Sequence, residues 1–338
     1  MKTKKYLDVP GKVLPYQRNF NFVTSTRGTG KTYGIQKFLL KKALNGEQFA
    51  YLVRTKTEQQ RGAFGKAFAK VAEKEYRDYD FVFTDDVLIY NKEILGFCLP
   101  LSAADQLKKE SFPKVKYLYF DEYILESGSS SKYVHGWKEP DLLLSLYHTI
   151  DREEDRVIVF LTGNTISFYN PYHLHPAFSI PNISPGGVWL SDNILYWHAE
   201  PTVALSAERK VNRFLNMVEK SEYGAYAVEG SFDDAGNEFI AKRTPKARYV
   251  FTLIYLGAPY GIWFEDREGY VIIDRGGNLN YRNVFALTPN DRTENCVLIM
   301  PKTNVFTRWL ATHYKHGNVF YTSPEVRERI CGAIRLML

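Results

Sequence analysis

Phe20-Asn21-Phe22-Val23-Thr24-Ser25-Thr26-Arg27-Gly28-Thr29-Gly30-Lys31-Thr32 runs from an apolar stretch into Gly-Lys-Thr, and a helical pattern opens at Tyr33. Strand, glycine-bearing loop, Gly-Lys-[Ser/Thr] and helix is the context of a phosphate-binding loop. The backbone N–H groups of such a loop and the positive end of the helix converge on one place, which favours an anion. Gly28 and Gly30 allow positive φ and close approach of the backbone to the ligand. In this pattern Lys31 reaches the β- and γ-phosphates, and the Thr32 hydroxyl sits on Mg²⁺. The match has one departure: the pattern asks for Gly where this chain has Ser25. A Gly-rich turn before a helix is the ordinary alternative, so the rest of the chain has to decide.

Outward from the loop, three more short apolar runs read as buried parallel strands. The run 48–54 ends in Arg54, with Lys56 just beyond, on the edge where doubly wound sheets bind ligands. The run 115–120 ends in Asp121-Glu122. In isolation this is a solvated strand-end pair. Downstream of a phosphate loop, Asp121 would serve the Mg²⁺ shell and Glu122 would polarise an attacking water. The run 157–161 ends in Thr162-Gly163-Asn164. Thr162 and Asn164 are either a sensor of the γ-phosphate or a plain strand-to-turn exit. Helical patterns are expected at 33–44, at 57–75, and at 142–150 with Asp141 as cap. The runs 81–84, 87–90 and 94–99 suggest an antiparallel meander added at the sheet edge. Arg152 and Arg156 bracket Glu153-Glu154-Asp155 at a helix–strand loop. They are surface ion-pair residues or arginine fingers for a neighbouring subunit.

The chain has 338 residues, 45% hydrophobic and 24% charged, with a net charge of +6. That composition allows two domains. Its 15% aromatic content argues against disorder. The basic excess is compatible with nucleic acid but is spread out: residues 231–338 hold 14 Lys+Arg and 11 Asp+Glu, half of the net charge. Cys98, Cys296 and Cys331 form no Cys-x-x-Cys pair, so disulfides and zinc are not expected and a reducing compartment is. The basic start, Met1 to Lys5, has no apolar run after it and is not read as a signal peptide. No apolar stretch approaches the ~18 residues of a membrane span.

Three domains or segments are expected: 1–203, carrying the phosphate loop; a helical linker at 204–230, with Ser206 as cap and Val211, Phe214, Leu215 and Val218 on one face; and 231–338. Val188 to His198 reads as the last strand of the first part. The last part shows three strands (249–255, 261–264, 270–274) and then helices at 304–315 and 324–337, an α+β pattern of the ribonuclease H type.

The chain resembles the DNA-packaging ATPases of small short-tailed bacteriophages. The resemblance rests on Asn21-Phe22-Val23 leading into Arg27-Gly28-Thr29-Gly30-Lys31-Thr32; on Gly46-Glu47-Gln48-Phe49 with Arg54 and Lys56; and on Ile94-Leu95-Gly96-Phe97 before Pro100-Leu101-Ser102. It continues in Phe120-Asp121-Glu122-Tyr123-Ile124 and in Thr149 to Asn164, followed by Asn170-Pro171-Tyr172. It implies an additional-strand P-loop ATPase domain with ATP bound by Ser25 to Thr32, Mg²⁺ at Thr32 and Asp121, and catalysis by Lys31, Glu122, Arg152 and Asn164. Arg27 beside the phosphates would sense or polarise the γ-phosphate.

The same resemblance implies a homomeric ring, a pentamer, pumping double-stranded DNA into a procapsid. The ring would sit at the portal vertex in the host cytoplasm, with an RNA or protein adaptor as a further partner and no membrane. Arg152 would be the trans-acting finger, Lys56 a second basic residue near the neighbour's phosphates and Arg156 a further candidate. Lys108, Lys109, Ser129, Ser130 and Lys132 are candidates for facing DNA, whose phosphates a sequence-indifferent motor would grip. The last domain would be a nuclease-like fold without its chemistry; Asp274, with Asp233, Asp234 and Asp266, are the acids to watch. A helicase, a nuclease-bearing terminase or a nucleotide-gated scaffold without turnover are the rival readings.

Overall fold

In the computed structural model, β1 (Phe20–Ser25) is buried at every position, as a strand covered on both faces must be. The structure describes residues 6–125, 132–210, 212, 213, 217 and 239–338. The chain divides into two units, Met1–Asp233 and Asp234–Leu338. The other strands of the first unit are β2 (Gln48–Val53), β3 (Val82–Phe83), β4 (Val87–Tyr90), β5 (Glu93–Pro100), β6 (Val115–Asp121), β7 (Ile158–Asn164), β8 (Val188–Leu190) and β9 (Ile194–His198). Its helices are α1 (Val9–Val13), α2 (Lys31–Leu44), α3 (Lys56–Gln60), α4 (Ala63–Glu75), α5 (Ala104–Leu107), α6 (Glu139–Asp151) and α7 (Val203–Lys210).

The nine strands form one sheet in the order β3-β4-β5-β2-β6-β7-β1-β9-β8. The run β5-β2-β6-β7-β1-β9 is parallel throughout, and antiparallel pairs occur only toward the two edges. β7 lies between the phosphate-loop strand β1 and the acidic strand β6; this is the additional strand of the expected ATPase class. Alternate side chains point to opposite faces of a strand. Phe22 therefore packs in the layer with Leu143, Leu146 and Ile150 of α6, and Val23 in the layer with Leu39 of α2 and Phe68 of α4.

Local chemistry adjusts several expected boundaries. The meander at 81–99 exists, but β5 also pairs in parallel with β2 and so belongs to the main sheet. Gly96 is needed there, because a Cβ would lie 2.9 Å from the Phe49 ring. The single helix expected at 57–75 is two helices, broken where Gly62 takes φ 72°. The stretch 188–198 turns back on itself as the hairpin β8–β9. Asp141 lies inside the first turn of α6 rather than at its cap, and its carboxylate meets His175 at 3.1 Å. The cap of α7 is Thr202, whose hydroxyl accepts from the Leu205 N–H at 3.3 Å; Ser206 is inside the helix. Of the expected linker face, Val211, Phe214, Leu215 and Val218 lie outside the described residues.

In the second unit β10 (Arg248–Tyr255), β11 (Ala258–Glu265) and β12 (Tyr270–Arg275) form the expected antiparallel meander. Three short strands, β13 (Val284–Ala286), β14 (Val297–Leu298) and β15 (Val319–Tyr321), extend it to the order β14-β13-β10-β11-β12-β15. At two or three residues each they are too short to show alternation. The helices α8 (Val305–Lys315) and α9 (Pro324–Met337) set Leu310, Ile330 and Ile334 against Phe251, Leu253, Ile262 and Ile273. Asn304 and Ser323 cap them with their side chains.

Candidate functional site

The loop Thr26–Gly30 joins β1 to α2. Gly28 (φ 72°) and Gly30 (φ 89°) are both left-handed, a conformation in which a Cβ would be strained. α2 starts at Lys31 without a side-chain cap hydrogen bond, and the start of a helix favours an anion. Lys31 is buried. Its ammonium donates to the carbonyls of Ser25 (3.0 Å) and Thr26 (2.9 Å) and to Asn164 Oδ1 (3.4 Å). The loop is braced further by Thr29 Oγ1 donating to the Thr26 carbonyl at 3.2 Å.

The acidic strand end is equally constrained. Asp121 sits in register with Thr162 of β7, and the Thr162 hydroxyl donates to Asp121 Oδ1 at 2.5 Å. The Glu122 N–H donates to the same oxygen at 3.0 Å. Beneath them the fully buried Tyr119 hydroxyl meets Thr162 Oγ1 at 3.1 Å; burial raises its pKa well above the usual tyrosine range. Sequence reasoning missed Tyr119, because inside an apolar run a tyrosine is indistinguishable from core.

Glu122 has φ 53°, an unfavourable conformation for a non-glycine residue that costs on the order of 1–3 kcal/mol. The buried Arg54 holds it: its guanidinium donates to the Glu122 and Tyr123 carbonyls at 2.9 and 3.0 Å. Arg54 also pairs with the fully buried Glu139 at 3.3 Å and lies 4.9 Å from the Phe120 ring centre. Glu139 in turn accepts from the Tyr172 hydroxyl (2.8 Å) and the Val134 N–H (2.6 Å). Burial pushes the Glu139 carboxyl up, against the pull of Arg54. Removing one partner of a buried pair strands the other charge, at about 3–5 kcal/mol. Arg54→Ala is therefore expected to lower unfolding free energy by about that much in a denaturant titration, and Arg54→Met combined with Glu139→Gln to recover most of it.

Nearby, burial lowers the His173 pKa to about 3 and keeps the imidazole neutral. Its Nε2 lies 2.6 Å from the Tyr123 hydroxyl. Tyr123 and Ile124 pass close over Gly163, 3.0 and 3.2 Å from a Cβ placed there, so a side chain at 163 would have to displace them.

These parts meet because β1, β7 and β6 are adjacent and parallel, so their C-terminal ends share one edge. A cavity of about 620 Å³ opens there, lined among others by Arg27, Lys31, Thr32, Asp121, Glu122 and Asn164. Both hydrogen bonds described on the Asp121 carboxylate go to Oδ1, a geometry that suits a cation at Oδ2. Among the described residues no group of three or more His, Cys, Asp or Glu is placed to hold a metal ion. Mg²⁺ needs only one or two carboxylates when phosphate oxygens and waters complete its shell, so the donor set fits that ion.

The other candidates lie elsewhere. Lys56 is exposed at the end of β2, outside the cavity lining, and its N–H donates to Ser102 Oγ at 3.1 Å. Arg152 (exposed, φ 55°) follows α6 and so stands at the start of β7, the opposite edge from Asn164. The turn that presents it is fixed by Asp151, whose carboxylate accepts from the N–H groups of Asp155, Arg156 and Val157 at 2.9–3.1 Å. Arg156 is committed to that turn: its guanidinium donates to the Val115, Phe112 and Ile150 carbonyls and pairs with Glu154. In this structure its guanidinium is thus engaged by its own subunit.

Lys108 and Lys109 are exposed before β6, and Lys108 shares a surface recess with Arg152 and pairs with Asp105 at 2.6 Å. Lys132 follows β6. These DNA-facing candidates flank the acidic strand along the chain, as expected; Ser129 and Ser130 lie outside the described residues.

In the second unit Asp274 accepts from the Thr322 hydroxyl at 2.9 Å and pairs with Arg243 at 3.7 Å. Arg243 itself lies 4.0 Å from the Trp263 ring centre. Asp266 pairs with Arg248 at 3.1 Å. Asp233 and Asp234 lie outside the described residues. The three cysteines are free.

The sequence matches the family described as Podovirus DNA encapsidation protein (Gp16) over residues 2–335. It is 30% identical over 320 residues to the DNA packaging protein of Bacillus phage phi29, covering 94% of each chain. It is 27% identical over 317 residues to the DNA packaging protein of Bacillus phage B103, covering 93% of this chain and 96% of that one. Among solved structures, the bacteriophage Phi-29 viral genome packaging motor assembly contains a chain that superposes with a TM-score of 0.72 at 28% identity, with 99% of this chain and 100% of that one covered. The Phi-28 gp11 DNA packaging motor shares the fold, with a TM-score of 0.62 at 16% identity over 97% of each chain. Phosphate loop, strand order and full-length similarity agree, and the chain belongs to the podovirus DNA encapsidation (Gp16) family.

Proposed function

We propose that this viral DNA-packaging chain hydrolyses ATP to drive double-stranded DNA into a procapsid, as a homomeric ring whose ATP sites are completed by the neighbouring subunit. The observation that carries the reading is the convergence of Lys31, Thr32, Asp121, Glu122 and Asn164 on one cavity at the C-terminal edge of the sheet. Gly28 and Gly30 admit the phosphates, and the start of α2 receives their charge. Lys31, now on the Ser25, Thr26 and Asn164 oxygens, turns its ammonium to the β- and γ-phosphates. That releases Asn164, which links phosphate binding to the end of β7. Thr32 and Asp121 would hold Mg²⁺, which when bound neutralises the charge of the β- and γ-phosphate oxygens.

Glu122 accepts a proton from water as the water oxygen bonds to the γ-phosphorus. The bond from that phosphorus to the bridging oxygen breaks, and ADP leaves with the electron pair. Arg152 cannot take part within its own subunit: β7 has 7 residues, which separate the two sheet edges by about 20 Å. A role for Arg152 therefore requires a neighbouring subunit. A structure described as the bacteriophage Phi-29 viral genome packaging motor assembly supports action within an assembly; the partners proposed for this chain are a portal and an RNA or protein adaptor, met in the host cytoplasm.

The test is phosphate release by the purified chain with Mg²⁺, with and without duplex DNA. Turnover stimulated by duplex DNA is expected. No turnover under either condition overturns the reading, and robust strand cleavage lost in Asp274→Asn favours a nuclease-bearing terminase instead.

A further inference from the structure

The phosphate machinery accounts for one side of the 620 Å³ cavity. The remaining wall is made of Tyr6, Tyr33, Lys70, Lys74 and Glu75. Tyr6 belongs to the lead-in before β1, which is firmly attached: Leu7, Val9 and Val13 are buried in the core layer of α2 and α4. The Leu7 N–H donates to the Thr29 carbonyl at 3.0 Å, tying the lead-in directly to the phosphate loop. Tyr6 lies so close over that loop that a Cβ at Gly30 would be 2.7 Å from the Tyr6 Cβ. Tyr6 is nonetheless 51% exposed, at the rim of the cavity.

Tyr33 stands immediately after the Mg²⁺-binding Thr32. Its hydroxyl donates to Glu75 at 2.5 Å, which Lys37 also engages, and the Lys74 ammonium is 5.6 Å from its ring centre. The ring is thus pinned in place from α4 across the mouth of the cavity.

We propose that Tyr6 and Tyr33 form the base subsite of the bound nucleoside triphosphate. Its ring face stacks on Tyr6, its edge runs along Tyr33, and Lys70 and Lys74 supply positive charge around it. The inference rests on the nucleotide reading of the cavity and adds a role for the lead-in segment, which joins the phosphate loop to the base. Recognition by stacking is tolerant of base identity but favours the larger purine face.

The test compares binding of ATP with binding of inorganic tripolyphosphate, which has the charges but no base, to the full chain and its variants. Tyr6→Ala is expected to weaken ATP about ten-fold, the scale of one lost base stack, and to leave tripolyphosphate unchanged. Tyr6→Trp should restore ATP binding, and Tyr33→Ala should repeat the base-dependent loss. Parent-like ATP binding in both alanine variants overturns the subsite alone. So does an equal loss of ATP and tripolyphosphate, which would make Tyr6 merely a prop for the loop. If the parent binds neither ligand, the nucleotide reading itself fails and the subsite with it.

Discussion

Glu122→Gln is expected to bind ATP with the parent's affinity and to hydrolyse it about 10²–10⁴-fold more slowly, the range that a positioned general base contributes. The amide keeps the size and shape of the carboxylate, so the Arg54 contacts to the backbone at 122 and 123 are untouched. What disappears is the ability to take a proton from water. Asp121→Asn should behave differently. It weakens Mg²⁺ binding, so its defect should be eased by raising the Mg²⁺ concentration, whereas that of Glu122→Gln should not. Single-turnover phosphate release with a separate nucleotide-binding measurement reads both. Equal, near-zero rates in the parent and in Glu122→Gln would instead favour a scaffold that binds nucleotide without turning it over.

Arg152→Ala is expected to lower turnover in the assembled ring by about 10³–10⁵, the range for an arginine finger, while leaving ATP binding in place. The residue is exposed, and the hydrogen bond described for its guanidinium is long, 3.5 Å to the Glu110 carbonyl. Its left-handed backbone would strain alanine, so Arg152→Asn, which tolerates that conformation, is the matched control. Mixing Arg152→Ala subunits with Lys31→Ala subunits should restore part of the activity, because each can supply what the other lacks at a shared site. No rescue at any mixing ratio would sink trans action.

How much was legible beforehand follows from the kind of information each residue carries. Lys31 and Thr32 are tied to the loop by short-range geometry, since the glycines and the helix start lie within a few residues of them. Asp121-Glu122 was legible because acids at the end of an apolar strand stand out against burial. The main strands were readable as apolar runs, but the added strands β13, β14 and β15 were not, and neither was the parallel pairing of β5 with β2. Arg54 was visible as a basic residue at a strand end. Its actual work, holding the Glu122 backbone from within a buried pair with Glu139, depends on a partner 85 positions away along the chain, 139 minus 54. Arg156 shows the reverse case: its sequence neighbours suggested a finger or a surface pair, and the carbonyls that occupy it come from the start of β6 and the end of α6.

The phosphate loop is determined by sequence alone, because its function resides in backbone conformation, and glycine spacing with Gly-Lys-Thr dictates that conformation locally. Thirteen consecutive residues, Phe20 to Thr32, carry it. The tertiary structure alone decided which side chains share an edge of the sheet. Strand order brings Asp121, Asn164 and Ser25 side by side, sends Arg152 to the opposite edge and lays Tyr6 over Gly30. Those adjacencies come from long-range pairing of buried strands, whose apolar side chains fit many orders equally well until all the layers pack together.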